Sequence, residues 1–342
     1  MNKVFCVHPK IYSVETLLDY LHLDHIDNLI WDDSTPDILF ASEWIYYQRT
    51  YFSRFCKMYN SAKVRILLAF EAISPDWNIF DYAVGFDNHH QNGDRFIRIM
   101  SPLDMFNKWV TIRENEIKTI QQARDELISK EGFCNFLYSN PEAHPTRDRL
   151  FFEISKYKRV DSLGCHLNNV SQEGTGFAGH TMECVPMKRR YKFSIASENA
   201  AYPGYTSEKI FTSLAAHTIP IYFGNPDILE DVNADAFINV NDFNSMDSLV
   251  KYIKEVDNND ELWCKYVSAP WFTKEQETYH IQRTVNYENR LSKILTKPEE
   301  RLCIGTHSDI YRRHFLTEAF PLDRTLTQKM INKCHKLANK IL

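Results

Sequence analysis

YKFSIASENAAYPGYTSEKIFTSLAAHTIPIYFG, residues 191–224, decides how this chain folds. YKFSIAS (191–197) reads as a buried strand, residues 207–217 as a helix, and TIPIYFG (218–224) as a second strand. Strand, helix and strand in close succession make one crossover unit, whose two strands run parallel. The junction between the first strand and the helix is crowded with polar groups: Glu198, Asn199, Tyr202, Tyr205, Ser207, Glu208 and Lys209. Open parallel sheets bind ligands at the carboxyl ends of their strands, which is where this junction falls.

The same alternation extends in both directions. KVFCVH (3–8), DILFASEW (37–44), VRILLAF (64–70) and DYAVGF (81–86) read as strands, with helical spacing across 43–60. A helix is expected over 112–131, with Ile117, Ile120, Ala123 and Leu127 on one face and Gly132 as its stop. A second block begins with the strand FCNFLYS (133–139) and a helix over 146–157. After the opening stretch come a strand at AFINVNDF (236–243) and a helix at 245–256 with Met246, Leu249, Val250, Ile253 and Val256 inward. The segment 164–187, with Gly164, Gly174, Gly176 and Gly179, reads as a mobile loop. Two alternating blocks predict an α/β protein with two parallel-sheet domains, divided near residue 130. At 342 residues the chain has room for both.

Composition narrows the function classes. Apolar content is 44%, so the chain is globular, and a formal charge of −5 argues against a general nucleic-acid binder. Eight cysteines occur singly, at 6, 56, 134, 165, 184, 264, 303 and 334, without a CxxC pair, which reads as reduced thiols in a cytoplasmic setting. MNKVFCVHPK enters a strand directly and reads as no signal peptide; no run of about 18 apolar residues suggests a membrane span.

Several residues could carry chemistry. Lys209, at a helix start, would add a full charge to the partial positive charge of a helix N-terminus, a setting that suits a phosphate. Glu208 beside it suits sugar hydroxyls, or else is a carboxylate favoured by the helix dipole. Arg147 opens the helix at 146–157 and suits a phosphate, or is an ordinary solvated residue. Glu71 ends the apolar run VRILLAF and reads as a general base facing the other domain, or as a strand-end charge in solvent. Neither GxGxxG nor a P-loop is present. No Asp-x-Asp occurs, and the adjacent His89 and His90 cannot share a helical face, so a metal site is not expected.

The stretch 191–226 resembles the donor-site signature of the α-1,3/4-fucosyltransferases of glycosyltransferase family 10, bacterial type. The matching residues are Glu198, Asn199, Tyr205, Glu208, Lys209, Pro220, Gly224 and Pro226. Ser197 stands where the family usually has Phe, and Ala200 where Ser is common. FLYSNPEAHPTRDRLFFEIS (136–155) resembles the start of the family's donor domain, with Arg147 on its phosphate-binding arginine. FEAISPDWNIFDYAVGFD (70–87) resembles the acceptor-side segment, with Glu71 on the proposed base.

The resemblance implies a GT-B architecture of two Rossmann-like domains facing across a cleft, 1–130 for the acceptor and 131–300 for GDP-fucose; the spacing of apolar residues near the end reads 301–342 as a helical tail, which matches the family little. It implies inverting transfer from GDP-β-L-fucose to a glycan such as N-acetyllactosamine. Type-1 chain, capsule and lipopolysaccharide glycans stay open, as does α-1,3 against α-1,4. Arg147 and Lys209 would hold the diphosphate, Asn199 and Tyr205 the diphosphate or fucose, and Glu208 the ribose. No cofactor would be required, a divalent ion being at most stimulatory. Two rivals are a glycosidase using Glu71 and Glu198, and a sugar-nucleotide-binding protein without turnover. In the tail, Met330, Ile331, Cys334, Leu337, Ala338, Ile341 and Leu342 share a helical face beside Lys329, Lys333, Lys336 and Lys340. That face reads as a helix docked on the body, or as a basic helix on the inner membrane surface.

Overall fold

The computed structural model describes residues 1–87, 95–99, 113, 116–170 and 182–298. His89, His90, Gly174, Gly176, Gly179 and the tail 301–342 lie outside the described residues.

Six parallel strands form the first sheet: β1 (Asn2–Val7), β2 (Leu29–Trp31), β3 (Ile38–Ser42), β4 (Val64–Ala69), β5 (Tyr82–Gly85) and β6 (Phe96–Arg98), in the order β2-β1-β3-β4-β5-β6. Helices α1 (Val14–Leu21), α2 (Trp44–Tyr47) and α3 (Arg49–Met58) belong to this half. β3 and β4 are buried along their whole length, in keeping with their largely apolar sequences. Arg65, inside β4, is tolerated because its guanidinium donates to Asp81 at 3.0 Å and to the Tyr59 carbonyl at 2.8 and 3.0 Å.

The second sheet holds β7 (Gly132–Phe136), β8 (Val160–Ser162), β9 (Tyr191–Ser197), β10 (Ile219–Phe223) and β11 (Ile238–Asn239), in the order β11-β10-β9-β7-β8, again all parallel. Its helices are α4 (Ile120–Ile128), α5 (Thr146–Ser155), α6 (Val185–Arg189), α7 (Glu208–Ala215), α8 (Met246–Asp257) and α9 (Asp260–Val267). Counted within itself, each half has the doubly wound order 2-1-3-4-5, with β6 added at the edge of the first. The switch points therefore fall between β1 and β3 and between β7 and β9.

One element returns. The long helix α10 (Lys274–Thr296) follows the second sheet in sequence, yet Tyr287, Leu291, Ile294 and Leu295 pack into the apolar core of the first. The Tyr287 hydroxyl donates to the Leu21 carbonyl at 2.8 Å, and Asn2 donates to the Leu295 carbonyl at 2.8 Å.

Three local expectations need correction. The helix expected over 112–131 begins at Ile120, where Thr119 caps it with a reciprocal Gln122 bond; Ile120 is exposed, and Gly132 opens β7 instead of stopping the helix. The strand at 236–243 shrinks to Ile238–Asn239, because the Asn239 side chain accepts from the Asn241 amide and turns the chain. The segment 164–187 is not all loop: Met182–Cys184 forms a 3-10 turn leading into α6.

Candidate functional site

The crevice at the second switch point is built by Tyr138. The ladder between β7 and β9 stops at Asn135–Ser194, and the Tyr138 hydroxyl takes over beyond it. It donates to the Ile195 carbonyl at 2.9 Å and accepts from the Ser197 amide at 2.6 Å. The Arg147 guanidinium lies 4.1 Å from the Tyr138 ring centroid and is buried. Its Nη2 donates to the Asn199 Oδ1 at 2.6 Å and to the Ser197 carbonyl at 3.2 Å. Its Nη1 donates to the Asn140 carbonyl at 3.4 Å, while Nε is buried without a partner. The polar loop after β7 and the polar junction after β9 are thus tied together by one arginine.

The N-terminus of α7 closes the other side. Ser207 caps the helix, and both its amide and hydroxyl donate to Glu198, at 2.8 and 2.6 Å. Lys209 has three N–H donors, and its Nζ has three partners: Ser207 Oγ at 3.0 Å, Glu198 at 3.2 Å and Glu208 at 3.3 Å. Burial works against the Lys209 charge, but Glu208 and Glu198 outweigh it and raise the ammonium pKa above its usual range. Burial pushes the Glu198 carboxyl up, and the Lys209 ammonium pulls it the other way. Gly224 is needed behind this pair: a Cβ there would sit 2.3 Å from the Glu198 Cγ.

The rest of the junction reaches the first half of the molecule. Gly204 sits in the left-handed region (φ 83°) with its amide on Asn225 Oδ1 at 2.7 Å, and the turn it makes delivers Tyr205 across the cleft. The Tyr205 hydroxyl donates to Glu71 Oε2 at 3.0 Å, and its ring packs edge-on against Phe86. Burial and the neighbouring Glu71 raise the Tyr205 pKa well above its usual value, so the phenol stays a donor. Tyr202 donates to Asp87 at 2.6 Å, and burial together with that contact pushes it up to about 12.

A third contact is ionic. Asp231 is fully buried between Arg98 of β6, at 2.9 Å, and Arg283 of α10, at 3.1 Å. It also accepts from Thr206 at 2.8 Å and from Asn225 at 3.4 Å.

The structure thus brings Arg147 with Asn199, Glu198 with Glu208 and Lys209, and Tyr205 with Glu71. Glu71 itself lies two residues past the end of β4. Sequence reasoning missed Tyr138, Asn225, Asp231 and Arg98, which position the others, and gave Ser207 no role. It also missed Glu43, which follows β3 at the first switch point and is buried, with Oε2 unpartnered. A carboxylate closing a buried apolar run was the signal that singled out Glu71. Glu43 carries the same signal but was absorbed into the strand reading of 37–44. Among the described residues, no group of three or more His, Cys, Asp or Glu side chains is arranged to hold a metal ion. No described helix is long and apolar enough to cross a membrane.

Comparison with known proteins bears on the family and the fold. Residues 127–308 match the C-terminal region of glycosyltransferase family 10 (fucosyltransferase), and residues 20–106 match the N-terminal domain of alpha-(1,3)-fucosyltransferase FucT. The chain is 29% identical to the alpha-(1,3)-fucosyltransferase FucT of Helicobacter pylori over 251 residues, 66% of this chain and 50% of that protein. It is 29% identical over 177 residues to the mouse 4-galactosyl-N-acetylglucosaminide 3-alpha-L-fucosyltransferase 9, 48% of this chain and 47% of that protein. It therefore spans about half the length of these curated relatives. The crystal structure of an alpha1,3-fucosyltransferase with GDP-fucose superposes with a TM-score of 0.65 at 22% identity, covering 88% of this chain and 92% of that one. The fold is GT-B, two Rossmann-like parallel-sheet domains, and the chain belongs to glycosyltransferase family 10.

Proposed function

We propose that this protein is an inverting fucosyltransferase that moves L-fucose from GDP-β-L-fucose to a hydroxyl of a GlcNAc- or Glc-containing glycan, forming an α-1,3 linkage. The observation that carries this reading is the 3.0 Å contact between Tyr205, in the donor signature, and Glu71, at a strand end of the other half. A reacting sugar carbon gripped beside Tyr205 would lie next to a carboxylate base.

In the reaction, Glu71 accepts the proton of the acceptor hydroxyl as that oxygen attacks the fucose C1. The C1–O bond to the diphosphate breaks, and GDP leaves with the electron pair. Arg147, Lys209 and the α7 N-terminus stabilise the charge that develops on the departing diphosphate. Since every Lys209 donor already has a partner, the diphosphate takes the place of Glu208 on Lys209, freeing Glu208 for the ribose hydroxyls. Glu198 stays behind Lys209 and holds it toward the crevice; Asn199 keeps Arg147 oriented. Two cations and a helix dipole do the work a divalent ion does in other transferases, so no metal is required.

The glycosidase reading is less well supported, because Glu198 is fully buried and its oxygens are held by Ser207 and Lys209. Incubation with GDP-fucose and N-acetyllactosamine, followed by linkage analysis, tests the proposal. An α-1,3-fucosylated product is expected. GDP binding without transfer would favour the silent binder, and hydrolysis of a fucoside without nucleotide would favour the glycosidase. The spacing of lysines and apolar residues in the sequence of 325–342 supports a further reading, contact with an anionic membrane. Equal liposome sedimentation of the full chain and of residues 1–324 would remove it.

A further inference from the structure

Glu71 is not alone at the first crevice. β3 and β4 are neighbours in register, with Ser42 opposite Leu68, so the residues that follow them emerge side by side. Glu43 follows β3 directly, and Glu71 comes two residues after β4. Glu43 is 8% exposed, and the nearby amides, its own and that of Phe70, face its carboxyl group. Its Oε2 is buried and has no partner. A carboxyl oxygen held this way is expensive unless a proton or a neighbour satisfies it.

We propose that Glu43 is a positioning residue for the transfer reaction, a second carboxyl on the neighbouring strand end that sets the charge beside Glu71 by holding or releasing its own proton. The inference rests on Glu71 being the base. When Glu43 holds its proton, it presents an O–H and adds no charge to the crevice. When Glu43 loses that proton, a second negative charge stands beside Glu71 and favours movement of the acceptor hydroxyl's proton into the crevice. Among the described residues, the titratable groups that interact with the Glu43 charge are Glu71 beyond β4 and the Cys6 thiol on β1. Burial first, and Glu71 second in the same direction, push the Glu43 carboxyl up to about 7, against the two backbone amides. Burial with the Glu43 charge keeps Cys6 a neutral thiol at any pH at which the enzyme works.

The experiment is a pH profile of single-turnover transfer from GDP-fucose to N-acetyllactosamine, from pH 5.5 to 8.5. The parent is expected to speed up several-fold across an inflection near neutrality. Glu43→Gln should lose that inflection and stay near the low-pH rate, with GDP affinity unchanged. Glu43→Asp should keep an inflection. A Glu43→Gln profile that parallels the parent at every pH would overturn the proposal, even if the rate is lower, since that is the mark of a packing role. Should Glu43→Gln fail to fold, thermal stability of the parent and Glu71→Gln against pH replaces it. Removal of the Glu71 charge should lower the pH at which Glu43 ionises, and coincident curves would overturn the coupling. Failure of the underlying reading looks different: Glu71→Gln would then transfer fucose at the parental rate.

Discussion

The two crevices share one topology and differ in how their charges are satisfied. In the second half, Lys209 is ion-paired with Glu198 and Glu208, Arg147 is held by Asn199 and the Ser197 carbonyl, and Tyr138 and Ser207 tie the loops together. In the first half, three carboxyl groups follow apolar strands: Glu71 and Asp87, each touched by a tyrosine from across the cleft, and Glu43, with an unpartnered oxygen. The strand order dictates where a ligand can sit. What it meets there is set by sequence: in the proposed reading, a pre-assembled grip for an anion on one side, and proton acceptors on the other. Pre-assembly suits a donor that is always the same molecule.

This contrast can be broken in stages. The largest effect belongs to the isolated carboxylate: Glu71→Gln keeps shape and hydrogen bonding but removes basicity, and kcat should fall by roughly a hundredfold or more. Steady-state transfer assays check this, and a kcat near the parental value would dissolve the division of labour. Asp231→Ala should come next. It leaves Arg98 and Arg283 buried without their counter-charge, for a loss of about 3–5 kcal/mol in unfolding free energy. Denaturant titration measures it, and unchanged stability would mean that the halves are held by their apolar contacts alone. Lys209→Ala or Arg147→Ala should each weaken GDP by roughly 1.5–3 kcal/mol, the value of a charge-assisted contact.

The smallest effect sharpens the other side. Glu43 has a folded pKa of about 7 against an ordinary 4.5, so the folded state holds its proton more tightly than the unfolded chain. Nothing is lost below the unfolded value; stability then falls as pH climbs from about 4.5 through about 7. Glu43→Gln should therefore match the parent at pH 5 and exceed it at pH 8, by about 1–2 kcal/mol once relaxation is allowed for. Melting curves at the two pH values decide it, and a variant less stable at pH 8 than at pH 5, like its parent, would remove the buried acid from the account.

The second half was far more legible in the sequence than the first, for a physical reason. A closed polar network needs many particular residues at fixed spacing, so YKFSIASEN and YTSEK identify strand, cap and helix as well as the site. Glu71 and Glu43 each depend on a single side chain closing an apolar run, a signal that also describes any solvated strand end. The positioning residues were hidden because their partners are distant in sequence: Arg98 and Asp231 are 133 positions apart. The same holds for α10, whose buried face meets a sheet that the chain left long before. The helix and strand boundaries that moved did so at Thr119 and Asn239, where a side chain captures a backbone amide.

The central claim is that one half grips the nucleotide and the other supplies the base. Calorimetric titration of GDP into Lys209→Ala and Glu71→Gln, side by side with the parent, tests it most directly. Lys209→Ala should bind at least tenfold more weakly, following from the loss of one charge-assisted contact, while Glu71→Gln binds within about twofold of the parent. The reverse pattern, GDP affinity lost with Glu71 and kept without Lys209, would place the nucleotide in the first crevice and contradict the account.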